Sequence, residues 1–94
     1  MKLARLYIPK YPNQQAFTLE KRIAAAFNGY TMYYFGMGVW RTPNGELLQE
    51  SVYVYDVVMG EDDRAALEEI LLQYKTEAEQ TTVLYVYDNQ PIFL

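Results

Sequence analysis

The chain contains neither cysteine nor histidine. That removes disulfides, thiol nucleophiles, Ser-His and Cys-His pairs and ordinary zinc sites, so no metal ligand set is expected. Basic residues are outnumbered, eight against twelve acidic, and the net charge is −4 with no basic stripe. Binding to a nucleic-acid backbone is therefore not expected. The charge is also too modest for a DNA mimic. No apolar run approaches the ~20 residues of a membrane span. The start, Met1 to Pro9, has no signal-peptide h-region, because Arg5 interrupts it. The expected setting is the cytoplasm.

What is abundant is aromatic and apolar. Half of the 94 residues are hydrophobic, and ten are tyrosines. The length suits one domain spanning residues 1–94, with a thin core that removes only roughly 60–65 % of the unfolded surface from water. Ten tyrosines exceed what so small an interior holds. Many must lie on an open sheet face, in a cleft or between subunits, where the ring is buried and the hydroxyl keeps a partner.

Residues Lys2 to Pro9 read as a strand, with Leu6 and Ile8 on one face and Leu3, Arg5 and Tyr7 on the other. Lys10 to Ala16 reads as a loop, either a lid or plain connection. A helix is expected from an N-cap at Thr18 to Phe27, with Leu19, Ile23 and Phe27 in a stripe and Ala24 to Ala26 permitting close packing. Tyr30 to Trp40 alternates as a strand, and Gly36 and Gly38 inside it suggest a bulge or close approach. Thr42-Pro43-Asn44-Gly45 is a turn signal joining it to a long strand from Leu47 to Met59. A second helix presents Leu67, Ile70, Leu71, Tyr74 and Ala78 at helical spacing, after the acids Glu61 and Asp62. Thr82 to Tyr87 is a strand, and Ile92 to Leu94 a short terminal one.

The order β-α-β-β-α-β predicts an α+β, ferredoxin-like sandwich: a four-stranded antiparallel sheet with two helices on one face. If Val52, Val54 and Val58 lie under the helices, Tyr53 and Tyr55 form an exposed aromatic face fit for association.

Chemistry falls to carboxylates, tyrosines, lysines and backbone groups. Glu50 shares strand parity with Val52 and Val54, which points it at the helix-covered side. An inward carboxylate must be paired or used. Either it contacts a ligand, or it sits at the strand end, where it reaches solvent or pairs with Arg41 and holds the hairpin. Tyr30, Tyr33 and Tyr34 either line a cleft, where they could stack on a purine or present hydroxyls, or are packing or interface residues. Trp40 is either a site wall or a core or interface residue. Gly36-x-Gly38 lacks the third glycine and the helix of a phosphate loop.

The elements Gly29-Tyr30-Thr31, Gly38-Val39-Trp40-Arg41, Gly45 and Glu50-Ser51 resemble a pattern of small PII-like proteins. So do Asp63-Arg64-Ala65, Tyr74-Lys75 and Glu79-Gln80-x-x-Val83-Leu84, and the likeness runs from Thr18 to Tyr87. Such proteins are ferredoxin-like, assemble as trimers and bind small molecules between subunits. Within this group the chain is most similar to an uncharacterised bacterial family and to phage S-adenosylmethionine lyases. The latter carry a Gly-x-aromatic-Arg element and a glutamate ten residues beyond that aromatic. The resemblance implies that Trp40 stands for the aromatic and Glu50 for the glutamate, and that no cofactor is needed.

In those lyases the substrate carboxylate attacks its own γ-carbon and releases methylthioadenosine and homoserine lactone, which starves host restriction methylation. The resemblance thus implies a homotrimeric enzyme in the host cytoplasm, with Glu50 catalytic and Tyr30, Tyr33, Tyr34, Trp40 and Arg41 holding the ligand. Two other readings stay open: a non-catalytic PII-like module that binds a nucleotide-like metabolite, and a protein-interaction or inhibitor domain using the aromatic face.

Overall fold

A computed structural model describes residues 1–10 and 13–94; the side chains of residues 13–15, 34 and 35 lie outside the described set. The elements run β1 (Lys2–Pro9), α1 (Asn13–Ala26), β2 (Gly29–Arg41), β3 (Leu47–Met59), α2 (Arg64–Glu77), β4 (Leu84–Tyr87) and β5 (Gln90–Phe93). The strands form one antiparallel sheet in the order β2-β3-β1-β4-β5. The expected α+β order is present, and β2-β3-β1-β4 are ordered as in a ferredoxin-like sheet. Among the described residues the sheet nevertheless has five strands, not the expected four, the short terminal strand pairing as the fifth. Asp88 and Asn89 both take left-handed φ angles, 50° and 61°, which is the turn geometry that matches strand twist and folds β5 back onto β4. Pro91 fits there because β5 is an edge strand. No helix among the described residues is long and apolar enough to cross a membrane.

Several boundaries differ from the sequence reading: β4 starts at Leu84, not Thr82, β5 at Gln90, not Ile92, and α1 well before Thr18. Helix α1 begins at Asn13, so the segment read as a loop to Ala16 is partly helical, while residues 11 and 12 lie outside the described ones. Thr18 is inside the helix, not its cap. The reason is that the buried stripe starts a turn earlier, at Ala16, and continues through Leu19 and Ile23. Ala24, Ala25 and Ala26, read as permitting close packing, lie exposed. The α2 stripe is as expected: Leu67, Leu71, Tyr74 and Ala78 are buried and Ile70 packs beside them. The two helices are also joined by a forked ion pair, Arg22 to Glu77 at 2.7 and 3.0 Å.

The faces of β3 are the reverse of the expectation. Tyr55, Val57 and Met59 lie fully buried under the helices with Ala4, Leu6 and Ile8 of β1, and Tyr53 packs beside them. Glu50, Val52, Val54 and Asp56 occupy the opposite face. The register explains it: Leu6 sits opposite Tyr55, whereas Arg5 sits opposite Asp56 and binds it. Helix-side burial of the tyrosine row keeps both carboxylates of β3 out of the core. The exposed aromatic face built on Tyr53 and Tyr55 is therefore not there.

Candidate functional site

The long β2–β3 hairpin builds the site. Between Tyr33 and Gly36 the register slips: three steps along β2 match two along β3, from Val54 to Val52. Such a bulge inverts the alternation beyond it. Tyr33 before the bulge and Gly36, Gly38 and Trp40 after it consequently share the face that points away from the helices. Without the extra residue, Trp40 would be on the other side of the sheet from Glu50.

On this face Gly38 pairs with Glu50 and Trp40 with Leu48. The Trp40 indole reaches diagonally back across the ladder, and its Nε1–H donates to Glu50 Oε1 at 2.7 Å. A bond this short to a carboxylate is charge-assisted and fixes both side chains. Glu50 is thus held by Trp40, not by Arg41, whose Nη1 donates to the Gly45 carbonyl at 2.9 Å and stiffens the turn. That turn has the expected chemistry, with Gly45 at φ 85° and its N–H on the Thr42 carbonyl.

Beside this pair opens a cleft of about 350 Å³, walled by Tyr7, Trp40, Leu48 and Phe93, with Glu50 and the Gln80–Thr82 segment as its polar groups. A volume of roughly 300–1,000 Å³ with mostly apolar walls and few polar anchors is typical of a small-molecule site. The segment after α2 is set by the helix end. Glu79 takes φ 54°, and the N–H groups of Glu79 and Gln80 close onto the carbonyls of Thr76 and Lys75. This is a Schellman closure with glutamate at the position glycine usually fills. It aims Gln80, Thr81 and Thr82 at the cleft.

A second polar cluster lies on the same face. Arg5 donates to both Asp56 oxygens, at 2.7 and 2.9 Å, and the Tyr33 hydroxyl donates to Oδ2 at 3.2 Å. The Arg5 hydrogen bonds hold the Asp56 carboxyl below the usual range, against the opposing effect of burial. In the core, burial above all pushes the Tyr74 hydroxyl up to about 12. Burial, reinforced by Glu68, does the same to Tyr85.

Of the residues singled out in the sequence, then, Trp40 and Glu50 meet. Tyr33 belongs to the neighbouring Asp56 cluster. Tyr30 lies on the helix side with its ring 5.8 Å from that of Tyr55. Arg41 is at the turn, and the Tyr34 side chain lies outside the described residues. Sequence reasoning missed Tyr7, Phe93 and the Gln80–Thr82 segment. Tyr7 was readable, since it shares the Arg5 face of β1; Phe93 depended on the fifth strand. Comparison of the chain with family models, curated proteins and solved structures finds no match.

Proposed function

We propose that the Trp40–Glu50 cleft binds S-adenosylmethionine and cleaves it to methylthioadenosine and homoserine lactone. The observation that carries this reading is a carboxylate fixed by an indole N–H at 2.7 Å within a mostly apolar, aromatic-walled cleft. Such a site suits an organic cation, which gains from both the carboxylate and the ring faces. In the reaction the substrate carboxylate forms a C–O bond to its γ-carbon, the C–S bond breaks, and its electron pair neutralises the sulfonium. No proton is transferred, so the absence of histidine and cysteine is no obstacle. Opposite charges are consumed as the transition state is approached, and apolar walls favour that step. A glutamate against the sulfonium would stabilise the substrate more than the transition state. Glu50 therefore serves better as the anchor of the ammonium group, leaving the sulfonium against aromatic rings and the chain folded for attack.

The reading includes a homotrimer in which a neighbouring copy closes the cleft. In its support, Phe93 and Leu48 line the cleft with 65 % and 52 % of their surface exposed, more apolar area than a finished ligand site leaves open. The test is to incubate purified protein with S-adenosylmethionine and follow adenine-containing products by chromatography, with sedimentation to give the assembly. Methylthioadenosine should appear with wild type and fall about 100-fold with Glu50→Gln. Saturable binding without product would replace the enzyme with a non-catalytic binding module; neither binding nor product would refute the site.

A further inference from the structure

Gly38 pairs with Glu50 and lies beneath the Trp40 indole. A methyl group at this position would stand 2.8 Å from indole Cζ2 and 2.9 Å from Cε2 and Nε1. Distances under 3.0 Å are not tolerated, so the ring would have to leave its seat. The backbone of Gly38 is outside the left-handed region that demands glycine, in contrast to Gly45. What the position requires is space. That space lies under the ring whose N–H holds Glu50, and among the described residues Glu50 is the one carboxylate lining the cleft.

We propose that Gly38 is a positioning residue: its missing side chain seats the Trp40 indole flat on the strand, and the seated indole aims the Glu50 carboxylate at a cationic ligand in the cleft. One oxygen of Glu50 is engaged by Nε1–H, and the other faces the ligand. This deepens the reading of the cleft as a cation site and rests on it for the ligand, while the seating itself is a property of the empty protein. Gly36 provides a control on the same strand. A methyl there would meet Val52 Cγ2 at 2.8 Å, the Val52 carbonyl oxygen at 3.2 Å and Val54 Cγ2 at 3.2 Å, all nearer than any atom of the indole.

Trp40 is the only tryptophan, so a ¹⁵N-labelled sample gives a single indole N–H signal that reports the Glu50 bond directly. In ligand-free protein, Glu50→Gln should move that signal, and Gly38→Ala should move it in the same direction. Gly36→Ala should leave it in place. Titrated with S-adenosylmethionine, Gly38→Ala should bind about tenfold more weakly than wild type, the fold-change that corresponds to one hydrogen bond to a charged group.

A double-mutant cycle covers the case in which Gly38→Ala does not fold. If the indole is the obstacle, Gly38→Ala in a Trp40→Ala background folds and melts no lower than Trp40→Ala alone, because alanine suits a strand interior better than glycine. An unmoved indole signal in folded Gly38→Ala overturns the proposal, as does a Gly38→Ala penalty that persists without Trp40. If wild type fails to bind S-adenosylmethionine while the indole signals behave as stated, the ligand reading fails and the seating stands.

Discussion

Replacing Arg5 with methionine should destabilise the domain more than replacing Asp56 with asparagine, although both break the same ion pair. The two partners differ in burial: the Arg5 side chain keeps 46 % of its surface exposed and that of Asp56 only 12 %. Without Asp56 the guanidinium turns to water, and asparagine still accepts a hydrogen bond, so the loss is about 1 kcal/mol. Without Arg5, the carboxylate remains largely desolvated with the Tyr33 hydroxyl at 3.2 Å as its donor. A fully buried orphan of this kind loses about 3–5 kcal/mol. Partial access of Asp56 to water reduces that to about 2 kcal/mol, or roughly 8–16 °C in Tm for a domain of this size.

The pH dependence gives the sharper test. In wild type the Asp56 pKa is depressed, first by its hydrogen bonds with Arg5. Its contribution is present above the unfolded value of about 3.9 and is lost as pH falls through the folded one. In Arg5→Met two influences remain, burial, which raises the pKa, and the weaker Tyr33 hydrogen bond, which lowers it; burial outweighs the bond, so protonation now favours the folded state. The gap between the two proteins should therefore narrow as pH drops from about 6 to 3. Urea unfolding followed by circular dichroism at several pH values measures it. Equal losses for both variants, or a gap that does not change with pH, would refute the reasoning.

Among the described residues, the hydroxyls of Tyr55 and Tyr74 are buried without a hydrogen-bond partner. An unpaired buried hydroxyl is unfavourable by about 1–3 kcal/mol, so Tyr74→Phe should raise stability by about 1 kcal/mol in the same unfolding assay; a drop of that size would mean the hydroxyl has a partner. Glu79→Gly should stabilise by roughly 0.5–1 kcal/mol, since it relieves the left-handed backbone at the end of α2. Unfolding midpoints check this, and a loss of stability would show that the glutamate side chain contributes more than its φ angle removes.

The architecture was legible because its elements announce themselves independently. The Leu67–Ala78 stripe, the Leu6/Ile8 alternation and the Pro43–Gly45 turn each identify a segment without reference to the rest. Terminal pieces were harder. The start of α1 rested on Ala16, whose small side chain adds little to a hydrophobic pattern although the residue is buried. The fifth strand was read as Ile92 to Leu94 but starts at Gln90, because its hairpin uses two non-glycine residues at positive φ, Asp88 and Asn89, and runs through a proline that sequence patterns treat as a strand breaker.

The orientation of β3 was also readable, by charge where apolar alternation failed. Both of its faces carry large hydrophobic side chains, valines at 52, 54 and 58 and tyrosines at 53 and 55, so hydrophobicity alone does not choose between them. The carboxylates do: Glu50 and Asp56 both share the valine parity, and the tyrosine parity has none. Placing the valines under the helices would bury two acids in a thin core, several kcal/mol each unless fully compensated. Facing them outward lets Arg5 of the neighbouring strand neutralise one and leaves the other to be held by Trp40. Trp40 reaches it because of the bulge before Gly36, which carries the indole to that face. The same two features that spare the core its charges thus create a cleft with a fixed carboxylate. Glu50 is in that cleft because the fold has nowhere cheaper to put it, and turnover with Glu50→Gln decides whether the protein also uses it there.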